Sequence, residues 1–317
     1  MLSRIQIFLL SSVLLSASSL AVEQGMQCRQ DENGVLVSED GAKVLYYQRS
    51  DRSKDGNYTR AHYVHPLYDL DGNVLTEDFP DDHRHHRGVF WAWHQLIVAD
   101  QSVGDGWALH DLRWDVRSVI PTSNDDGSVT LDMTVDWKSS LWRGGRQAIV
   151  EEKSSIRIYP RQADRRRIDF QIHMRSTNPE TRIGGSDDDK GYGGFSVRIR
   201  LPDDIRFLSQ NGYQTPTKTI VAASSWMSMT GKLGDGPSDQ TRVSGLTVLC
   251  HPDSAGYPQP WILRSKNSMQ NPVWPGRTPQ LIPTDNPITL RYRVVIHRDP
   301  VAADLIQQWQ NDYAESE

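Results

Sequence analysis

Three histidines lie among aspartates and arginines in the stretch DDHRHHRG, residues 81–88. An imidazole titrates near neutral pH, so it can accept or donate a proton in catalysis. A neighbouring carboxylate such as Asp82 can orient the ring of His85 or His86, either of which can then move the proton. Arg87 can hold a carboxylate or hydroxyl group of a substrate. General acid–base catalysis is therefore the favoured interpretation of this stretch.

A metal site is a second interpretation of the same residues. If residues 83–86 are extended, His83 and His85 point to one side while His86 points to the other. A His-x-His pair can bind one ion, and His65 can supply a third ligand, as in open zinc or iron sites. This interpretation implies a single divalent metal as cofactor. The acid–base interpretation leaves the cofactor open, and His65 and His83 are also candidates for acid–base catalysis. A third interpretation is a structural network in which histidines and aspartates satisfy one another.

Two later stretches add candidates. In GGSDDDKGYGGFSVR, residues 184–198, glycines let the backbone approach a ligand closely. Either Lys190 in this stretch or Arg87 is expected to steady developing negative charge, and Tyr192 is expected to contact the substrate. In VLCHPDSAGYPQPWILR, the catalytic candidate His251 follows a predicted strand. The substrate-binding candidates beyond it are Trp261 and Arg264.

Tryptophan is abundant, with 10 residues in the chain. Its indole ring packs in cores and also stacks on sugar rings, so the count alone does not separate the two uses. Trp91 and Trp93 directly follow the histidine-rich stretch and are expected, with Trp261, to form sugar-binding platforms.

Period-2 alternation of apolar and polar residues dominates the rest of the sequence. It is clear in SVTLDMTVDW (128–137), RIDFQIHMR (167–175), GFSVRIRL (194–201) and ITLRYRVVIH (288–297). Such alternation predicts strands with one buried face, which is typical of antiparallel sheets packed face to face. Near the end, Asp299 as N-cap and Pro300 in the first turn predict a helix over 300–314. We therefore expect an all-β fold, a large antiparallel β-sandwich with a C-terminal helix.

The N-terminal residues 1–21 have a basic residue, a short apolar run and small residues, as a secretory signal peptide does. We expect it to be removed, leaving a single domain over 22–317 that is secreted or periplasmic. The apolar run is shorter than the ~20 residues of a membrane-spanning helix. The net charge of −5, without a basic stripe, argues against nucleic acid as a partner. Cys28 and Cys250 are either a disulfide or two free thiols.

The sequence resembles a bacterial family named methane oxygenase PmoA. The resemblance rests on YVHPLYDLDGNVLTEDFPDDHRHHRGVFWAW (63–93), DKGYGGFSVR (189–198) and HPDSAGYPQPWILR (251–264). It implies an exported protein found beside carbohydrate-degrading enzymes, with a β-rich pattern similar to the galactose-mutarotase-like supersandwich. It supplies no catalytic residues. The family name does not fit a membrane-embedded monooxygenase subunit, because no segment of this chain is long enough to span a bilayer.

The combined expectation is an exported carbohydrate-active enzyme, a hydrolase, lyase or epimerase, with a histidine-rich acid–base site. Glycoside hydrolysis ordinarily uses a pair of carboxylates, and the sequence identifies none, which favours a lyase or epimerase. The alternatives are a histidine-ligated metal enzyme such as an oxygenase, and a non-catalytic sugar-binding module. In each case the partner is a carbohydrate or another small molecule.

Overall fold

The computed structural model describes residues 24–236 and 242–316. The predicted signal peptide over 1–21 lies outside the described residues, so removal of this segment and export stay predictions. No helix among the described residues is long and apolar enough to cross a membrane. Antiparallel strands dominate the structure, as the alternation predicts.

The largest sheet has nine strands. In spatial order these are β10 (Leu112–Ser123), β11 (Val129–Ser139), β12 (Val150–Ile158), β13 (Arg165–Ser176), β23 (Ile288–Arg298), β19 (Ser244–Cys250), β18 (Trp226–Gly231), β16 (Arg206–Ser209) and β17 (Gly212–Gln214). Neighbouring strands pair antiparallel throughout this sheet.

A second sheet has six strands. Their order is β1 (Met26–Gln30), β2 (Gly34–Glu39), β3 (Ala42–Gln48), β6 (Tyr63–Leu67), β7 (Val89–Ala92) and β15 (Gly194–Val197). A four-stranded sheet consists of β22 (Gln280–Leu281), β14 (Thr181–Gly184), β8 (Gln95–Val98) and β9 (Gln101–Gly104). Two strand pairs complete the set, β4 (Arg52–Lys54) with β5 (Asn57–Arg60) and β20 (Trp261–Ile262) with β21 (Asn271–Pro272). A short 3-10 helix spans Arg143–Gly145.

The core lies between the two large sheets. Leu131 on β11 and Ile172 on β13 point inward and are fully buried, and they share one hydrophobic cluster with Val35 and Val37 of β2. Each such side chain contributes about 1.5–3 kcal/mol when it leaves water. The sequence prediction of an all-β sandwich is confirmed, because the alternating positions bury one face of each sheet.

Helix α1 spans Ala303–Ala314 and packs on the outer side of the nine-stranded sheet. The helix is confirmed but its predicted start is wrong. Its N-cap is Ala302, which makes no side-chain capping hydrogen bond. Asp299 instead has a φ of 56°, in the left-handed region, and so belongs to the turn that leaves β23.

Both cysteines are free thiols. Cys28 lies on β1 at the edge of the six-stranded sheet, whereas Cys250 ends β19 in the core. Burial raises the pKa of the Cys28 thiol to about 11, so it is uncharged at neutral pH.

Candidate active site

The site is built from connections between short strands. The stretch 81–88 lies in the long connection from β6 to β7, and His94 lies between β7 and β8. Asp105 follows β9, and the loop with Lys190 and Tyr192 leads into β15. Loops held by packed strands position side chains precisely enough for chemistry, and here the sheets bring four separate connections together.

Residues 80–86 form consecutive turns and not a strand. The amide of His83 donates to the carbonyl of Pro80 (3.2 Å), and the amide of His86 donates to the carbonyl of His83 (2.8 Å). The turns stack the ring of His83 on that of His86, with centroids 4.7 Å apart. His85 meets the same two rings at 5.7 and 4.6 Å. The predicted alternation of sides is therefore wrong, because a turn gathers all three rings on one side.

Asp82 and His83 form the first Asp–His pair. His83 Nδ1 lies 2.7 Å from Asp82 Oδ2, and the guanidinium of Arg198 holds both carboxylate oxygens at 3.0 and 2.8 Å. Partial burial raises the pKa of Asp82, but hydrogen bonds from Arg198 and His83 outweigh it, and the pKa falls below its usual value. An ionised carboxylate only accepts hydrogen bonds, so Nδ1 of His83 donates to it, and in the neutral imidazole Nε2 carries the lone pair. The His83 side chain is 43% exposed, which leaves Nε2 open to a substrate.

His94 and Asp105 form a second Asp–His pair. Nδ1 of His94 lies 2.9 Å from Asp105 Oδ2, and Oδ1 of Asp105 accepts from the amides of Trp107 and Ala108 at 2.9 and 2.8 Å. Nε2 of His94 is buried and has no hydrogen-bond partner in the described chain. This pair therefore fixes a second imidazole lone pair on a side chain that is 20% exposed, but the lone pair itself is enclosed and takes part in proton transfer only when a substrate displaces the groups around it.

His85 contacts the ring of His83, and His86 and Trp107 connect it to His94. Burial, and then the charges of His83 and His94, lower the pKa of His85 to about 4. Its ring makes no hydrogen bond within the described residues. His85 is therefore a neutral imidazole at pH 7, half-buried and free to accept or donate a hydrogen bond.

His86 and Trp107 form the floor of the cluster. His86 is buried, its ring lies 5.7 Å from Trp107, and burial followed by neighbouring charges lowers its pKa well below its ordinary value. Nη1 of Arg198 donates to its Nδ1 at 3.4 Å. A neutral, enclosed His86 supports the rings above it and is not itself open to a substrate.

Tyr192, Lys190 and Arg264 lie on the side of His94. The Tyr192 ring meets His94 at 5.0 Å and Trp107 at 4.9 Å. Nζ of Lys190 lies 5.3 Å from the Tyr192 ring and pairs with Asp188 at 2.8 Å. Tyr192 and Lys190 thus lie beside the second Asp–His pair, where the sequence did not place them. Arg264 is linked to their loop through the Gln270 side chain and the neighbouring Asn271, which donates to the Gly193 carbonyl at 3.2 Å.

Arg87 does not face this cluster, and its predicted substrate-binding role is corrected. The guanidinium is buried, stacks on Phe79 at 3.4 Å and donates to the carbonyls of Arg84 (2.6 Å) and Tyr58. Asp78 Oδ1 lies 3.5 Å from Nε of Arg87. Arg87 therefore fixes the turn from behind.

His65 does not join the other histidines in a metal site. Its Nδ1 bonds with Oγ1 of Thr76 (2.9 Å), and burial, then nearby arginine charges, lower its pKa to about 4. Within 24–236 and 242–316, no group of three His, Cys, Asp or Glu side chains is placed to hold a metal ion. The predicted ligand set His65, His83 and His85 is therefore corrected: turn geometry and the Thr76 bond keep it from assembling.

The predicted tryptophan platforms are also corrected. Trp91, Trp93 and Trp261 are buried, with at most 2% of their surface exposed. Their Nε1 atoms donate inward, to Glu152 at 3.0 Å, to the Trp274 carbonyl at 2.8 Å and to the Ser224 carbonyl at 3.0 Å. They stabilise the core and present no face to a sugar.

His251 is buried beneath α1, away from the cluster's elements. Its ring packs edge-on against Tyr313 at 5.0 Å, and its Nε2 lies 3.3 Å from the Ser316 carbonyl. The structure gives it a role in docking the C-terminal helix, in place of the predicted catalytic one.

The sequence interpretation missed His94, Asp105 and Arg198. His94 stands 8 positions beyond His86 in the same histidine-rich segment, and Asp105–Gly106 is a turn signal, so both were visible. Their pairing follows from the contact of β8 with β9, which no local pattern reveals. Arg198 lies in the polar half of a predicted strand, where an arginine ordinarily faces solvent.

The chain matches a known family model over most of its length. Residues 34–310 match the family model described as "Family of unknown function (DUF6807)". The chain belongs to this family. That description does not contain the name methane oxygenase, so this part of the resemblance stays a prediction. No curated protein matches the chain.

Among solved structures, the chain is similar to a "putative mutarotase (YeaD) from Salmonella typhimurium". The identity is 11% and the TM-score 0.35, over 88% of this chain and 97% of that chain.

Proposed function

We propose that this protein is an acid–base enzyme that moves protons on a carbohydrate substrate, as a lyase or an epimerase. The observation that carries the proposal is that two Asp–His pairs belong to one ring cluster, with His83 in contact with the neutral His85 and His94 joined to it through Trp107 and His86. Each pair fixes its tautomer, so each presents an Nε2 lone pair.

Two fixed imidazoles suit a reaction with two proton transfers. One imidazole takes a proton from a substrate carbon and becomes an imidazolium, which its aspartate stabilises. The second returns a proton, either to the substrate carbon or to a departing oxygen. Neutral His85 between them can hydrogen-bond a substrate hydroxyl without adding charge to the site.

Hydrolysis by a carboxylate pair is not favoured, because the nearby carboxylates are engaged. Asp82 is held by Arg198 and His83, Asp105 by His94 and two amides, and Asp188 by Lys190. A nucleophilic or general-acid carboxylate must be free to reach the glycosidic bond.

The test is turnover of a sugar panel by wild type, His83→Gln and His94→Gln. Each substitution is expected to lower kcat on the order of 10²-fold, the usual contribution of a positioned acid or base. His173→Gln, on the outer side of β13, is the matched control and is expected to keep wild-type kcat. Equal kcat in all four proteins refutes the proposal, and sugar binding without any turnover indicates a binding module.

A further inference from the structure

Arg264 is a half-buried cation without an acidic partner. Its Nη1 donates to the carbonyls of Thr217 (2.8 Å) and Leu263 (2.9 Å), and its Nη2 donates to that of Lys218 (3.1 Å). No carboxylate lies within ion-pair distance of it in the described part of the chain. Neutral acceptors orient the guanidinium but leave its charge uncompensated.

Its remaining donors form one free edge. A guanidinium has five N–H donors. The three carbonyls use three of them, so Nε–H and one Nη2–H are left. Two donors on one planar edge match the two oxygens of a carboxylate.

Arg264 lies near the chemistry. Its amide donates to the side-chain oxygen of Gln270 (2.8 Å) and its carbonyl accepts from the Gln270 side-chain amide (2.9 Å), and the neighbouring Asn271 donates to the carbonyl of Gly193, next to Tyr192 (3.2 Å). The Tyr192 ring contacts His94 of the second Asp–His pair at 5.0 Å. Lys190, whose Nζ lies 5.3 Å from the same ring, adds a second cation on this side.

We infer that the substrate is a sugar carboxylate, a uronic acid unit, whose carboxylate binds Arg264 and Lys190. The inference rests on the proposed function for the reaction but not for the binding. A neutral sugar leaves Arg264 uncompensated, whereas a uronate supplies the missing charge in a bidentate geometry.

The carboxylate also explains how an imidazole removes a proton from carbon. The C–H bond next to a carboxylate breaks, its proton passes to the Nε2 of one Asp–His pair, and its electron pair moves onto the carboxylate as an enediolate. Arg264 and Lys190 stabilise the added negative charge. The electron pair then follows one of two routes. In an epimerase it returns to carbon, which takes a proton from the second imidazole. In a lyase it forms a C=C bond while the neighbouring C–O bond breaks, and the leaving oxygen takes that proton.

Calorimetric titration tests the inference on the full mature chain. The probes are trimers of glucuronate, galacturonate, mannuronate and guluronate, each beside its methyl ester, which keeps the shape and removes the charge. At least one free acid is expected to bind wild type at least about tenfold more tightly than its ester, because a charge-assisted hydrogen-bond pair contributes that much or more. If no acid exceeds its ester, the inference is overturned.

Single substitutions identify which side chains cause the preference for the free acid over its ester. Arg264→Gln and Lys190→Gln are each expected to reduce the acid preference to within about twofold, and Arg264→Lys to keep part of it. Arg277→Gln is the matched control, since Arg277 is an exposed arginine on a neighbouring loop that pairs with Asp187. An acid preference unchanged in the Arg264 and Lys190 variants overturns the inference.

Two further results separate the inference from the proposed function. Arg264→Gln removes contacts to three carbonyls, so Lys190→Gln carries the test if the first variant unfolds. Arg264-dependent binding of an acid that is never turned over supports the inference and contradicts the proposed function. Turnover of neutral sugars alone supports the proposed function and contradicts the inference.

Discussion

At the scale of residues, the central feature is a set of imidazoles that differ in environment. His83 is partly exposed and tied to Asp82, His94 is tied to Asp105 with a buried Nε2, and His85 is neutral between them. These differences give chemically identical side chains separate roles. They arise from burial and partners and not from position in the sequence.

The contribution of His85 to activity is expected to persist in mildly acidic solution. Burial and neighbouring imidazoles lower the pKa of His85 to about 4, so it stays neutral from pH 8 to about pH 5 and becomes protonated near pH 4. The part of kcat/KM that depends on His85 is therefore expected to halve near pH 4. The ratio of wild-type to His85→Gln kcat/KM, measured as a function of pH, isolates it, and a ratio that falls near pH 6.5 contradicts it.

Asp82→Asn is expected to lower kcat on the order of 10²-fold with little change in KM, because an amide can donate to His83 Nδ1 and stabilise the wrong tautomer. Asp81→Asn is the control, since its side chain is 87% exposed. Steady-state kinetics on a confirmed substrate compare the two. Equal kcat for both variants would show that Asp82 does not orient His83.

At the scale of elements, Arg198 joins the turn 80–86 to the end of β15. Its side chain is 2% exposed and pairs with Glu77 at 2.7 Å and with Asp82 at 2.8 Å. Arg198 thereby connects three segments: the chain that contains Glu77, the turn that carries the histidines, and strand β15. The position of the first Asp–His pair depends on this one buried cation.

Arg198→Leu is expected to lower the free energy of unfolding by about 2–4 kcal/mol, because it leaves two carboxylates without their cation. The carboxylates are about a quarter exposed, which keeps the loss below that of a fully buried pair. Urea unfolding measures it. Arg182→Leu, which removes an exposed pair with Asp100, is the control and is expected to change stability by less than about 1 kcal/mol. Similar losses in both variants contradict the role of Arg198.

Sequence patterns predicted the elements better than the site. Alternation in 128–137 and 288–297 identified β11 and β23, because burial of one sheet face forces a period of two. Lys190, Tyr192 and Arg264 were predicted from their loop positions, and the structure places Tyr192 against His94. The partner of His94 was not predicted, because Asp105 reaches His94 only through the pairing of β8 with β9. The burial of Trp91 was also hidden, because core packing and sugar stacking need the same side chain.

At the scale of the whole molecule, two sheets enclose one core while turns carry the chemistry at its edge. The core buries the alternating apolar residues of both sheets in a single cluster. The site needs neutral histidines, and the burial that the fold gives them disfavours their protonation. Function and stability are linked through the same imidazoles.

Stability is expected to fall as the pH falls from 7 to 5. Folding lowers the pKa values of His65 and His85 to about 4 and that of His86 well below its ordinary value. Between the folded and unfolded pKa values the unfolded chain binds more protons, so stability is present above about pH 6.5 and is lost on acidification. The loss is on the order of 1 kcal/mol per histidine. Urea unfolding at pH 7, 6 and 5 measures it, and equal stability contradicts the neutral cluster.

The most direct test of the central claim is deuterium incorporation from D2O, followed by proton NMR on the uronate that binds best. If the protein epimerises the uronate, wild type is expected to place solvent deuterium on the carbon next to the carboxylate. If it eliminates, wild type is expected to lose the hydrogen of that carbon and to form a C=C bond. His83→Gln and His94→Gln are each expected to lose this change, because each pair handles one of the two proton transfers. Turnover that keeps the original hydrogen on that carbon, or exchange or loss of that hydrogen that survives in both variants, would contradict the account of two Asp–His pairs.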